Sequence, residues 1–438
     1  MGRNCSFSVN STTGLLSRTN GSDCGDPACQ YLDMSGLDIK AIATDAFLGM
    51  VHLKVLSLGR NQLSSISYEH LKDLVELEDL DLSFNSFSSI VPGTFSGLST
   101  LSKLNLGYNN IGYIGEDYFV GLPNLRHLDL VSRNYNAESE RIGYIEDGSF
   151  RHMPRLETLK ITYHSLSRIS NDMFSGLPNL KLLDLKGRED ASTKKELVIE
   201  VWAFAGLSKL ETLYLSHAAV RDESLRRGLF WRCGKIVYLD MGHNPITTLM
   251  RSTFAGLENS LVQLHLQSCL IDTVKSRTFR RLSTSKLNYI NLRNNSLSTL
   301  HLDVFANMPY LDGTFVSHYG HHWYFQGYFR RFAGYGECRT NYASASYVDL
   351  MQNRLACKPI SWTDRHDCLY SGLFSNRIWY FNPKMDSNST APQAYPFLAM
   401  DGSEWSYTPC PVTPEVMPQD FPLVTCTYEN DFGSSNLE

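Results

Sequence analysis

The sequence predicts an α/β solenoid, a stack of short repeated coils rather than a closed globule. Three observations predict it. A pattern of apolar residues returns at a near-constant interval. Within each interval the pattern fits a short strand followed by a return segment, both pointing inward. Cysteines gather at the two ends of the patterned stretch. The clearest stretch is Leu77 to Asn124, two segments of 24 residues that superimpose position by position. Leu77, Leu80, Leu82, Asn85, Phe87, Ile90, Phe95 and Leu98 become Leu101, Leu104, Leu106, Asn109, Ile111, Ile114, Phe119 and Leu122. A fixed period of this length signals a repeat architecture.

Each part of the interval has a physical role. The LxxLxL segment reads as a strand whose leucines point into the coil, the Asn closes the turn after it, and the later Ile, Phe and Leu fill the coil from the far side. One coil buries too little apolar surface to offset ordering its own backbone. Neighbouring coils must therefore cover its two open faces.

Composition narrows the function classes. The 40 basic and 45 acidic residues give a net charge of −5, which argues against a general nucleic-acid binder. No apolar run reaches the ~18 residues of a membrane span. The start, MGRNCSFSVN, lacks the apolar region of a signal peptide. Of ten cysteines, Cys5, Cys24 and Cys29 precede the repeats, and Cys338, Cys357, Cys368, Cys410 and Cys426 follow them. That clustering predicts disulfide-closed caps and an oxidising compartment. Sequons at Asn4, Asn10, Asn20, Asn294 and Asn388 are candidate N-glycosylation sites, three of them within the first 20 residues.

In chain order, residues 1–28 read as an N-terminal cysteine cap and 29–320 as a solenoid of about 11 to 12 repeats. Cys29 takes the first leucine's place in repeat one, where Leu32, Met34, Leu37, Ile39 and Phe47 keep the pattern. Repeats follow at Leu53, Leu77, Leu101, Leu125, Leu156, Leu180, Leu210, Ile236, Leu261 and Leu287, with a degenerate twelfth at Leu311. Polar inserts lengthen the repeats at Leu125 and Leu180, beside the turn, as either tolerated insertions or partner-contacting loops. Arg133, His164, Arg188 and Ala218 replace the turn Asn in repeats five to eight, and Cys269 does so in repeat ten. Cys269 is expected to be buried and structural; Cys233 is either free or paired to it. Residues 321–370 read as an aromatic and cysteine-bearing C-terminal cap, and 371–438 as an irregular extension rich in Cys, Pro and aromatics.

The consensus LxxLxLxxNxLxxIxxxxFxGLxx, plain at 53–124 and recurring to 310, resembles the extracellular leucine-rich repeat family, with repeats similar to those of Toll-like receptors and variable lymphocyte receptors. The resemblance covers about two thirds of the chain. It implies a horseshoe with a parallel concave sheet and cysteine-stapled caps, and a partner bound on the concave face or along an edge. The Asn-Pro-Trp and closely spaced Cys pair of the family's usual C-terminal cap are absent.

No G-x-S-x-G, glycine-rich phosphate loop or HExxH occurs, so no enzyme, cofactor or metal site is expected. Positions three, five, seven and eight of LxxLxLxx are taken to point outward. Column five supplies Asp81, Asn105, Asp129, Lys160, Asp184, Tyr214 and Asp240; column eight supplies Arg60, Phe84, Tyr108, Tyr163, His217 and His243. Aromatics beside charges are what interface hot spots use, and these thirteen residues are the candidate partner-binding set. The three histidines 217, 243 and 265, on consecutive coils, carry no carboxylate in register and read as polar surface. A glycan on Asn294 would hinder partners at the C-terminal part of this face. The expected function is extracellular recognition of a protein or glycan, by a receptor ectodomain or secreted binder. The alternative is a structural or adhesion component of a matrix or multi-subunit assembly.

Overall fold

The structure, a computed structural model, describes residues 6–19, 29–132, 141–188, 196–225, 228–275, 277–279, 281–282 and 286–297, and beyond these the backbone of eight short strands between 314 and 426. The chain forms two compact units, 1–220 with 229–236, and 221–228 with 237–438.

The first unit is a parallel solenoid. Eight three-residue strands, beginning at Tyr31, Val55, Asp79, Lys103, His127, Thr158, Leu182 and Thr212, pair coil to coil. Their middle residues fall in register, Leu32 on Leu56, Leu80, Leu104, Leu128, Leu159, Leu183 and Leu213. From Leu56 onward these leucines are buried. They alternate with half-buried or exposed neighbours because successive strand side chains point to opposite faces. On the return side a phenylalanine spine fills the coils. Phe119, Phe150, Phe174 and Phe204 stack with centroids 6.1, 6.1 and 6.2 Å apart. The α component is slight: the described return segments are turns and two-residue parallel strands, Tyr113–Ile114 on Tyr144–Ile145 and Arg168–Ile169 on Val198–Ile199, with one α-helix, Tyr68–Leu71, where Leu71 stands in the place of the phenylalanine.

Residues Phe7–Val9 and Leu15–Arg18 form an antiparallel hairpin, and Leu15–Leu16 pairs with Ala41–Ile42 of the first coil. Leu16 is fully buried, and the Phe7 ring lies 6.1 Å from Phe47. Leu37 departs from the expected pattern: it occupies the turn-Asn position and is 46% exposed.

The turn asparagines do what the repeat requires. Asn85 Oδ1 accepts the Leu63 N–H at 2.9 Å, while its Nδ2 donates to the carbonyls of Leu58, Leu82 and Ser83. Asn61 and Asn109 repeat this arrangement, so each Asn ties its own turn to the preceding coil. His164 substitutes by reaching the following coil's Leu185 carbonyl at 3.1 Å.

In the second unit, strands Tyr238–Asp240, Gln263–His265 and Tyr289–Asn291 pair in parallel, and Asn295 bonds the carbonyls of Leu266 and Leu292. Cys269 is buried as expected, its thiol 3.4 Å from the Met241 carbonyl; Cys233, in the first unit, is likewise buried and carries a free thiol. Burial pushes both thiols up to about 12. The strand that follows Tyr289–Asn291 is Tyr347–Asp349, not the segment after Leu311. Strand Thr314–His318 instead pairs with Tyr347–Asp349 on its other edge and folds back on His321–Phe325. The sequence around 348 shows why: Val348, Leu350, Asn353 and Leu355 stand at the spacing of a further repeat. Of the cysteines proposed to staple the caps, Cys5, Cys24, Cys338 and Cys410 lie outside the described residues, Cys357, Cys368 and Cys426 are described only as strand backbone, and Cys29 bonds no other described cysteine. Arg133 and both polar inserts also lie largely outside them.

Candidate recognition surface

Two kinds of outward position make up the strand-side face, and they are built differently. Position five ends each strand. Asp81, Asn105, Asp129, Asp184 and Asp240 each turn Oδ1 onto the backbone N–H two residues later, at 2.9–3.1 Å. Asp33 and Asn291 do the same. This local Asx turn is why Asp and Asn recur there: the side chain satisfies a donor that the strand has just released. The column of carboxylates is thus in part a backbone device. Asp240 is buried, and burial raises the Asp129 carboxyl above its ordinary value. Lys160 is exposed and reaches to 3.8 Å from Asp129 Oδ2, while the Tyr214 ring lies beneath the Lys186 ammonium at 4.1 Å.

Position eight lies past the strand, in the turn. There the backbone is left-handed at Arg60, Phe84, Tyr108, Tyr163, His217, His243, Ser268 and Asn294, with φ between 53° and 60°. Such a conformation costs a residue with a Cβ about 1 kcal/mol, and glycine almost nothing. Gly36 takes the same position in the first coil. Nothing in the sequence pattern announces this strain; it follows from the turn that the ladder asparagine closes.

The structure brings three of the column-eight residues together. The Phe84 and Tyr108 rings stack at 4.2 Å with an 8° tilt, and the Arg60 guanidinium lies over the other side of Phe84 at 4.5 Å. Tyr163 does not extend this stack, because the intervening coil places the small, buried Ser132 at position eight. Position seven between these rows is small: Gly59, Ser83 and Gly107 are all buried. In the second unit, position three supplies a contact that the expected set missed. Tyr238 and Tyr289 flank His265, with centroids 4.7 and 5.0 Å away, and burial lowers the His265 pKa. Counting aromatics at position three would have revealed this cluster. His243 is exposed and His217 half-buried. No group of three or more His, Cys, Asp or Glu that could hold a metal ion occurs among the described residues. No described helix is long and apolar enough to cross a membrane.

Of the sequons, Asn10 sits exposed in the hairpin turn, its Oδ1 accepting the N–H groups of Thr12 and Thr13. Asn294 is exposed at position eight and donates to Ser268 Oγ at 3.0 Å. Asn4, Asn20 and Asn388 lie outside the described residues.

Comparison with known proteins finds the same kind of repeat in the sequence. A sequence profile described as "Leucine rich repeat" matches residues 29–87, 76–135, 138–188 and 259–313. The chain is 28% identical over 166 residues to podocan of Mus musculus, covering 34% of this chain and 26% of that one. It is 29% identical over 185 residues to Toll-like receptor 3 of Boselaphus tragocamelus, covering 42% of this chain and 18% of that one. The chain thus spans about a quarter or less of the length of these two relatives. The solved structure of an internalin from Listeria monocytogenes superposes with a TM-score of 0.46 at 18% identity, covering 75% of this chain and 82% of that one.

Proposed function

The chain belongs to the leucine-rich repeat family, and from that premise we propose that it is an extracellular recognition module, the ligand-engaging part of a receptor or a secreted binder. Its partner is a protein or glycan that lies on the strand-side face. One observation carries this reading: Arg60, Phe84 and Tyr108 form an ordered cation–aromatic stack on that face, in a backbone conformation that glycine would adopt more cheaply. Stacked aromatics with an arginine are hot-spot chemistry. The curated relatives are extracellular or cell-surface proteins, which agrees with this setting.

The test is capture of the partner from the native source by crosslinking, followed by affinity measurement with purified protein. Replacing Phe84 and Tyr108 together by alanine should weaken the complex at least tenfold with the melting temperature retained. Unchanged affinity rejects the face.

A second reading is a structural or adhesion component of a matrix. It is favoured by the Trp202 and Trp231 rings, 48% and 51% exposed and packed edge to face at 6.2 Å. Paired exposed tryptophans suit association with other surfaces. Light scattering separates the readings: assemblies that dissolve in a Trp202→Ser, Trp231→Ser variant support the matrix role, and a monomer at high concentration counts against it.

A further inference from the structure

We propose that the return side of the first unit, at coils seven and eight, is a docking surface for a sulfated polysaccharide chain. It shares the extracellular setting of the recognition reading but lies on a different surface from the Arg60, Phe84 and Tyr108 stack. It also differs from association between protein surfaces, although it uses the same two tryptophans.

The surface is aromatic and cationic at once. Trp202 and Trp231, on consecutive coils, are each half-exposed and pack edge to face, so each ring holds the other's orientation before a partner arrives. The turn that carries Trp231 also carries Arg232 and Lys235, both exposed. The two coils share one backbone pattern here. Leu207 and Cys233 donate their N–H to the carbonyls of Phe204 and Phe230, and their own carbonyls accept from Leu210 and Ile236. That equivalence puts Lys209 and Lys235 at matching places on neighbouring coils, and Arg232 beside Gly206. A Cβ on Gly206 would meet no atom within 4 Å, so the ground beside Arg232 is open. Arg232 itself is left-handed, with φ 72°, a conformation that glycine adopts more cheaply.

Charge selects the occupant. From the return-side strands onward, coils six to eight of this unit carry Arg168, Lys209, Arg232 and Lys235 against Asp172 and Glu200. Arg168 and Glu200 pair with each other, and Asp172 stands two coils from Arg232. Lys209 donates to the neutral Asn179 side chain at 2.6 Å, and neither Arg232 nor Lys235 has an ion-pair partner among the described residues. By sequence, residues 221–228 of the other unit add three arginines and two acids, so they do not cancel this excess. The partner must therefore be anionic, and it must also offer flat apolar faces to the indoles. A sulfated polysaccharide does both: the C–H face of a pyranose ring lies on an indole, while its sulfates accept from the guanidinium and ammonium groups. A lipid bilayer brings the charge, but entering it needs protruding aliphatic side chains. Val201 aside, the pair is surrounded by Ala205, Gly206, Ser208 and Gly234.

The experiment uses the full chain, at a dilution where light scattering shows monomer. The probes are a fluorescently labelled heparin octasaccharide, its desulfated counterpart, a short single-stranded DNA, and vesicles of equimolar phosphatidylserine and phosphatidylcholine, each at two salt concentrations. The heparin fragment should bind. Loss of its sulfates should weaken binding tenfold or more, and the DNA and the vesicles should bind at least tenfold more weakly than heparin. The double variant Arg232→Gln, Lys235→Gln should weaken heparin binding tenfold or more and flatten its salt dependence, with the melting temperature retained because both side chains are exposed. Trp231→Ser should weaken binding at least threefold and leave the salt dependence unchanged. A control with the same charge change, Lys54→Gln, Lys103→Gln, removes the partners of Glu78 and Asp79 and should alter binding less than twofold. No binding of heparin, equal binding of the DNA or the vesicles, or equal losses in the two double variants overturns the proposal. If assemblies formed at high concentration dissolve in the Trp202→Ser, Trp231→Ser variant while heparin does not bind, the matrix reading survives and the polysaccharide is the part that fails.

Discussion

Replacing Asn85 by alanine tests the account of how the coils are held together. Asn85 is fully buried and makes four side-chain hydrogen bonds. They are not equally costly to lose. The Leu58 carbonyl keeps Asn61 Nδ2, the Leu82 carbonyl keeps Asn109 Nδ2, and the Ser83 carbonyl keeps the Arg60 N–H. The Leu63 N–H has Asn85 Oδ1 as its acceptor, and alanine leaves it buried and unpaired. An orphaned buried donor costs about 1–3 kcal/mol, and three lost second bonds to shared carbonyls about 0.5 kcal/mol each. The expected loss is roughly 3 kcal/mol. Because coils couple mainly to their neighbours, the reading should be local as well as global: urea unfolding, and amide hydrogen exchange at Leu63 and its coil. Exchange at Leu63 should accelerate about 100-fold. Asn85→Asp separates the acceptor from the donor. It keeps an oxygen for Leu63 but turns a carboxylate oxygen toward three carbonyls. That raises the folded-state pKa of the new carboxyl, so stability should be low near neutral pH and recover as pH falls toward ~4, where an O–H can donate. A loss under about 1 kcal/mol for Asn85→Ala, with Leu63 exchange unchanged, would refute the ladder accounting.

Gly187→Ala should destabilise the first unit by about 3 kcal/mol or more, because its Cβ would overlap the His217 carbonyl oxygen, a backbone atom that cannot swing aside; a thermal melt within about 2 °C of wild type would contradict this. Arg60→Gly should leave the thermal melt nearly unchanged, relief of the left-handed backbone offsetting the lost ring contact, each about 1 kcal/mol, while affinity for the captured partner falls. The Glu157 carboxyl is held below its ordinary 4.5 by the hydrogen bond from Lys181 and then by Arg126. It therefore contributes stability above that value that is lost as pH falls through the folded-state pKa, and Glu157→Gln should flatten the acid limb of a melting-temperature profile. Cys233 and Cys269, their thiols pushed up to about 12 by burial, should resist iodoacetamide at pH ~8 in the native chain and react after unfolding, as read by peptide mass spectrometry.

The period, the inward leucines, the phenylalanine spine and the ladder asparagines were legible in the sequence because each repeats at one interval and each is dictated by burial or by a turn that must be closed. The coil around Tyr347–Asp349 was missed for the opposite reason. It lies 58 residues beyond Leu287, so counting forward at the usual interval landed on Leu311 instead, although Val348, Leu350, Asn353 and Leu355 carry the same pattern. Of the surface, the columns were legible but their contents were not equivalent. Asp81, Asn105 and Asp129 looked like exposed charge and polarity; each is also tied to its own backbone. Phe84, Tyr108 and Tyr163 looked like one aromatic stripe; the stack ends at Tyr108, since contact depends on what the intervening coil supplies, and that is Ser132. Tyr238 and Tyr289 were passed over because position three was not followed as a column.

These differences decide how much weight each column bears in a functional argument. A polar residue at position five has a use inside the coil, so its presence would be expected in a solenoid that binds nothing. A large side chain at position eight works against the coil by about 1 kcal/mol of backbone strain, so folding alone favours glycine there, as in the first coil at Gly36. Eight such positions hold another residue. Asn294 and Ser268 recover part of that cost by bonding to each other, and Arg60, Phe84 and Tyr108 recover part by stacking. The stack, however, buries neither ring fully and leaves all three residues within reach of solvent. A strained backbone that holds aromatic and cationic groups at the surface is a reason to look outside the chain for what they serve.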